Sequence, residues 1–430
     1  MYTRMRSTLE AIMANGNITD ALRFPSYRRV FALQVTVRIA KYLAQASIGA
    51  AIYCATNSAA ILGLQAATAL TMAACSVPVA GWLMTRWAPR QIIRIGLGSL
   101  IFVLAIACVL SIGGTTASWL MLGAAGCIAA TTGCVGATLQ ALETTSVPNE
   151  VRQSAISVAS LASGIPRVFG LAIGAAVGVT FSAGVCFAIV VAILVIALML
   201  PVNCVPAGSC ASATGSRTPL HDVATGVSAG IGDKRMRPML LVLGLTMIAL
   251  LPIESQLPAL LSACSGDLAF YLGALAIGGI IGGPSFGYLA SRQPGSLVSI
   301  GLTLGIVGVG LLALLAGSLW AAIPMLLLGL SWELVWCSVR CAAQTGLDEN
   351  NGQAVLRLMT MACSLVPAAG SLLLGLVVES LSAQVGLLLC GSLLLGSCLV
   401  RRRPRTHEGD VPSHVPAPRV QVEELTPVRI

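Results

Sequence analysis

Twelve apolar stretches, each near the roughly 20 residues that a helix needs to cross a bilayer, fill the chain between residues 31 and 400. They lie at about 31–54, 60–84, 92–112, 118–142, 155–181 and 184–202, then at about 238–261, 268–290, 297–316, 320–342, 354–378 and 384–400. Hydrocarbon offers no partner to a peptide group, so each stretch must close its own backbone hydrogen bonds. Composition agrees: 10% of residues are charged, where a soluble domain carries about 25%, and mean hydropathy is +0.89. The prediction is an all-α integral membrane protein with twelve transmembrane helices.

A phrase repeats within this pattern. Gly81-Trp82-Leu83-Met84-Thr85-Arg86 closes the second stretch and Gly287-Tyr288-Leu289-Ala290-Ser291-Arg292 closes the eighth. The same Gly-x-Leu-x-hydroxyl-Arg turn at the same point of each half indicates a doubled unit. The predicted organisation is a segment 1–30, a six-helix bundle 31–202, a linker 203–237 rich in Gly, Ser, Ala and Thr, a second six-helix bundle 238–400 and a disordered tail 401–430.

Basic residues fix the expected orientation. Arg4, Arg6, Arg23, Arg28 and Arg29 precede the first span, Arg86, Arg90 and Arg94 follow the second, Arg217, Lys234, Arg235 and Arg237 lie in the linker, and Arg401, Arg402, Arg403 and Arg405 follow the last. The six opposite loops have no Lys or Arg. Cytoplasmic loops retain these residues, so both termini are expected in the cytoplasm, and a basic rim beside anionic lipid accounts for the net charge of +9 without nucleic acid. No signal peptide precedes Phe31. Of 14 cysteines, most fall in spans and none has metal-ligand spacing, so they read as small packing residues, with no metal and no cofactor expected. Histidines occur only at positions 221, 407 and 414, outside the spans, and no phosphate-binding Gly-x-x-x-x-Gly-Lys loop is present, which argues against an enzyme or an ATP-driven pump.

The first span holds the most telling chemistry. Gln34, Arg38, Lys41 and Gln45 are spaced 4, 3 and 4 residues apart and share one helical face. Lys41 falls about 15 Å into the hydrocarbon at 1.5 Å per residue, where a lone charge facing lipid costs a few kcal/mol. A wet cavity or a protein partner is one reading of this stripe; snorkelling to the interface is the other. The clear carboxylates within spans are Glu254 and Glu333, and Glu333, Cys337, Arg340 and Gln344 form a second polar face. Close helix packing is expected at Gly170 and Gly174 beside Arg167.

These residues carry a family likeness. The chain resembles the major facilitator superfamily, and within it the twelve-span bacterial drug:proton antiporter branch that includes macrolide and siderophore exporters, over residues 25–400. Gly81 to Arg90 is similar to the loop signature between the second and third spans, where a glycine permits close helix approach. Val147-Pro148-Asn149-Glu150 with Arg152 is similar to the stretch before the fifth span, and Arg167-Val168-Phe169-Gly170-Leu171-Ala172-Ile173-Gly174 to the Arg-x-x-Gly-Pro-x-x-Gly signature within it. Tyr271 to Arg292 corresponds to the eighth span and its loop. Thr85 stands where the family commonly has an acidic residue, Lys41 where this branch often has an aspartate, and Leu171 replaces the signature proline.

The resemblance implies two bundles around a central cavity lined by spans 1, 4, 7 and 10, which would gather Gln34, Arg38, Lys41, Gln45, Glu254, Glu333 and Arg340. It implies cytoplasmic gate contacts among Gly81, Thr85, Arg86, Arg90, Glu150, Arg152, Gly287, Ser291 and Arg292. Lys41 and Arg38 are expected to bind an anionic or polar substrate group, or to pair with Glu254 or Glu333 in one conformation; a permanent structural ion pair is the alternative. The expected function is secondary transport by alternating access, exporting a small organic molecule across a bacterial inner membrane, with protons as coupling ion and a monomer as working unit. The other reading is an inactive or regulatory protein of the same fold that binds substrate without moving it.

Overall fold

A computed structural model describes residues 20–112, 118–145, 152–181, 183–199, 227–234, 236–261, 267–290, 296–346 and 349–402. Twelve long helices run through them: α1 (Pro25–Thr56), α2 (Ala59–Arg86), α3 (Pro89–Ile112), α4 (Ser118–Thr145), α5 (Arg152–Thr180), α6 (Ala183–Met199), α7 (Met236–Leu260), α8 (Asp267–Ala290), α9 (Leu297–Leu315), α10 (Ala322–Gly346), α11 (Glu349–Ser380) and α12 (Ala383–Arg402). No strand occurs among the described residues. The linker 203–226 and the tail 403–430 lie outside them, while 227–232, expected in the linker, form a short helical segment.

Helix ends follow local chemistry. Pro25 opens α1, where its missing N–H is no loss. Asn57 ends it in the left-handed region at φ 50°, its N–H returning to the Tyr53 carbonyl. Ser58 then caps α2 by accepting from the Ile61 N–H at 3.3 Å. The helix α1 begins six residues before the apolar run that announced it, because Arg28 and Arg29 are exposed at its basic end and hydropathy registers only the part inside lipid. Eight helices are long and apolar enough to cross a bilayer on length and composition alone, with shorter apolar stretches Gly164–Gly178, Gly184–Met199 and Leu268–Gly283 in α5, α6 and α8.

The packing repeats with a shift of six helices. In the first half α1 packs on α4, α5 and α6, α2 on α4, and α3 on α4 and α6; in the second, α7 packs on α10, α11 and α12, α8 on α10, and α9 on α10 and α12. The halves meet along two seams, α2 on α11 and α5 on α8, which exchange under the same shift. Each half has a core of its own. One gathers Leu33, Leu97, Leu104 and Leu139; the other gathers Leu243, Leu257, Leu302 and Val335 and also takes Leu171 and Ala175 from α5. The outer surface is apolar as well: Leu314, Trp119 and Val109 are 80%, 77% and 69% exposed, a surface that lipid rather than water must cover. The molecule is a multi-pass membrane protein with two related six-helix bundles.

Candidate functional site

A cavity of about 120 Å³ lies between the halves, with walls from α1, α2, α4 and α5 on one side and α7, α8 and α11 on the other. Its polar lining is Lys41, Gln45, Gln65, Glu254, Ser255 and Ser364. Alanines and leucines make up most of the remainder, among them Ala66, Ala69, Leu70 and Leu251. Lys41 stands 16 residues into the 32 of α1, so the helical rise puts it about 24 Å from the basic end, at mid-depth. The α1 stripe thus turns its lower half, Lys41 and Gln45, into this space. The Lys41 ammonium lies 5.6 Å from the ring of Tyr42, and among the described residues it makes no ion pair.

Its acidic neighbour is engaged elsewhere. Glu254 on α7 accepts a hydrogen bond from the Arg167 guanidinium on α5 in a charge pair that links the two halves. The two side chains are 18% and 11% exposed. Arg167 enters this position through the α5–α8 seam, where a Cβ on Gly279 of α8 would sit 3.8 Å from its Nη1. A largely buried guanidinium and carboxylate depend on each other, since removing either strands the other. Glu333 on α10 lies within electrostatic reach of Arg167 and Arg340, accepts from the Cys337 thiol at 3.5 Å, and packs its Cβ over Gly282 of α8.

Beyond the cavity, away from the arginine-rich end, the α2–α11 seam is closed. The Glu379 carboxylate of α11 accepts from the Ala59 N–H at 2.7 Å, the Ala60 N–H at 3.2 Å and the Ser58 hydroxyl at 3.1 Å, capping the first turn of α2 from the opposite half. Carboxylates are favoured at such free N–H groups. Gln256 of α7 donates to the carbonyls of Ala59 and Ser371, both at 3.2 Å. The backbones touch here: a Cβ on Gly63 would come 2.5 Å from the Ser371 oxygen, and one on Gly375 would come 2.6 Å from the Ala59 oxygen.

The sequence-predicted residues divide by place. Lys41, Gln45 and Glu254 share the cavity wall, whereas Gln34, Arg38, Glu333 and Arg340 are not in it. Gln34 is buried with both amide atoms unpartnered among the described residues, Arg38 is half-buried, and Arg340 is exposed. The partner of Glu254 is Arg167 rather than Lys41 or Arg38, because α5 rather than α1 presents its charge to α7 at this depth. Arg167, expected among packing residues, is therefore a charge carrier. Gly170 and Gly174 receive α1: a Cβ would meet Tyr42 Cβ at 2.6 Å and the Leu43 oxygen at 2.5 Å.

At the basic end, Thr85 donates to the Trp82 carbonyl at 2.7 Å and Arg86 lies 4.5 Å over the Trp82 ring. Among the described residues a Cβ on Gly81 would meet nothing within 4 Å, whereas Gly63, at the far end of α2, makes a close backbone approach. Arg90 lies in the first turn of α3, Arg152 opens α5, and Gly287 stands in the last turn of α8. Glu150, Ser291 and Arg292 lie outside the described residues. Gln65, Ser255, Gln256 and Glu379 were not singled out by sequence. The available signal was a glutamine or carboxylate in or beside an apolar run, weaker than the four-residue stripe of α1.

Comparison with known proteins adds the following. The family model described as Major Facilitator Superfamily matches residues 30–369. Among curated proteins no sequence matches. Solved structures that resemble the chain include the nucleoside transporter NupG (TM-score 0.68, 13% identity, covering 88% of this chain and 100% of that one). A POT family transporter in complex with 5-aminolevulinic acid gives TM-score 0.70 at 12% identity, covering 87% and 94%. The D-xylose-proton symporter gives TM-score 0.68 at 13% identity, covering 88% and 98%. At such identities the likeness is one of fold.

Proposed function

The chain belongs to the Major Facilitator Superfamily, and from that premise we propose that it is a secondary active carrier that exports a small organic molecule across the inner membrane by alternating access, coupled to protons. The observation that carries this reading is the cavity at mid-depth walled by both halves. A binding site shared between two bodies is what a rocking motion exposes to one side and then the other. The closed α2–α11 seam supports it as well, since Glu379, Gln256, Gly63 and Gly375 seal one end of the cavity.

The working unit is a monomer in the lipid bilayer, with both termini on the cytoplasmic side as the arginine distribution requires. Arg38, Lys41 and Gln45, with Glu254 across the cavity, form the substrate and coupling region; Gln34, Glu333 and Arg340 set its field. The loop residues Gly81, Thr85, Arg86, Arg90, Glu150, Arg152, Gly287, Ser291 and Arg292 form the cytoplasmic gate. Glu254 is the coupling carboxylate, because its partner lies in the other half and a proton on it would loosen the seam.

Purified protein in liposomes with a trapped pH-sensitive dye tests this. Addition of drug-like and metabolite-like solutes is expected to give saturable proton movement that Glu254→Gln abolishes. Binding without movement of either solute or protons would assign the chain to the non-translocating, regulatory alternative.

A further inference from the structure

Among the described side chains within the spans, the cations Arg38, Lys41, Arg167 and Arg340 stand against the carboxylates Glu254 and Glu333. The pairing is uneven. Arg167 takes Glu254, and Glu333 faces Arg167 and Arg340. Lys41 is left in the cavity wall over the ring of Tyr42, with no carboxylate of its own among the described residues. Arg38, three residues toward the basic end on the same face, adds a second positive charge to the approach.

An ammonium at mid-membrane depth without a counter-charge is costly wherever water is scarce. Three outcomes relieve that cost: loss of its proton, retention of water, or neutralisation by an incoming anion. Only the last gives a ligand something the cavity lacks. The remaining walls fit the rest of such a ligand, with Gln45, Gln65 and Ser255 offering hydrogen bonds and Ala66, Ala69 and Leu70 an apolar bed.

We propose that the substrate is a small amphiphilic organic anion whose carboxylate, or equivalent acidic group, is held by Lys41 in the cavity between the halves. The assignment rests on the carrier reading above and sharpens its substrate class. Neutralisation of Lys41 by the ligand removes the charge that opposes closing the cavity to water, so occupancy favours movement of the halves toward one another. Glu254, already paired across the seam, does not compete with the ligand for Lys41. It also attracts cationic ligands less than a free carboxylate would, because Arg167 offsets its field.

The test uses full-length protein and size-matched probes in three charge states at neutral pH: benzoate, benzyl alcohol and benzylamine, with octanoate, octanol and octylamine as an aliphatic set. Thermal stabilisation reports binding in detergent, and uptake of the same labelled compounds into proteoliposomes reports transport. Stabilisation is expected from the carboxylates alone. It should weaken about tenfold or more in apparent affinity in Lys41→Gln, as for loss of a partly buried charge contact, and largely return in Lys41→Arg. Stabilisation by alcohols or amines equal to that by carboxylates, absence of stabilisation by either carboxylate, or a carboxylate effect untouched by Lys41→Gln would overturn the assignment. The comparison across probes on the unaltered protein decides the matter even where Lys41→Gln fails to fold. Carboxylate binding with no uptake leaves the anion site standing and removes the carrier reading; uptake of amines or alcohols with carboxylates ignored does the reverse.

Discussion

The α2–α11 and α5–α8 seams are the same helix pairing produced twice by one repeated unit, yet they are held by opposite chemistry. At α2–α11 the contact is backbone on backbone, with Gly63 and Gly375 admitting it and Glu379 capping the first turn of α2 from across the divide. At α5–α8 a Cβ on Gly164 would meet the Ile280 side chain first, and the strong interaction is the charged bridge from Arg167 to Glu254 on α7. Doubling fixed where the halves would touch but left the touching atoms free to diverge. The first seam is a seal of backbone contacts and a capping carboxylate, with no ion pair among the described residues, lying at one end of the cavity. The second carries charge at the depth of the cavity, which suits it to sensing what occupies that space.

Breaking the charged seam should produce the largest effect. Glu254→Leu strands Arg167, and loss of one member of a buried pair costs about 3–5 kcal/mol. Equilibrium unfolding in detergent should register that loss, and the double variant Arg167→Met with Glu254→Leu should recover most of it while transport stays absent. A double variant that transports normally would reduce the bridge to scaffolding.

Steric substitutions sharpen the contrast. Gly63→Ala drives a methyl against the Ser371 carbonyl, at 2.5 Å, and the backbone there has little room to yield. Overpacking of this kind costs about 1–3 kcal/mol and acts on the closed seam, so the variant should show increased labelling of cysteines introduced at the end away from the arginines. Gly164→Ala meets Ile280 Cγ1 at 2.8 Å, the arm of a side chain that can turn away, and should be the milder of the two. Equal effects would mean that the seams do not differ as described.

The smallest change is expected from Glu379→Gln. It keeps an acceptor for the Ala59 and Ala60 N–H groups but loses the negative charge, which at a helix N-terminus is worth about 0.3–1 kcal/mol. In Asn57→Cys on a background lacking the native cysteines, thiol-reagent accessibility should rise by no more than about fivefold, the factor that about 1 kcal/mol represents. Glu379→Leu should exceed it.

Much of this architecture was legible in the residues. Apolar runs announce all twelve helices, eight of them long and apolar enough to span on that ground alone because bilayer thickness is an external ruler, and the 34-38-41-45 stripe exposes itself by helical period alone. Lys41 and Gln45 share the cavity wall for that reason. The Arg167–Glu254 bridge was hidden because it spans 87 residues and depends on how two bundles dock; no local period encodes a partner in another half. Arg167 was also masked by its place in a glycine-rich signature that reads as packing. Glu379 failed to stand out for a different reason. A carboxylate at the end of an apolar run ordinarily faces headgroups and water, and only the docked position of α2 turns it into a cap.

The central claim is that two bundles exchange access to a cavity between them, with the α2–α11 seal forming in one state and parting in the other. Pulsed electron resonance between spin labels at Asn57 and Ser382, on a background lacking the native cysteines, measures that seal directly. Two distance populations are expected, the shorter dominant in the unaltered seam and the longer enriched by Gly63→Ala, with the balance shifted by a bound carboxylate. One distance, unmoved by Gly63→Ala and by ligand alike, would contradict the account.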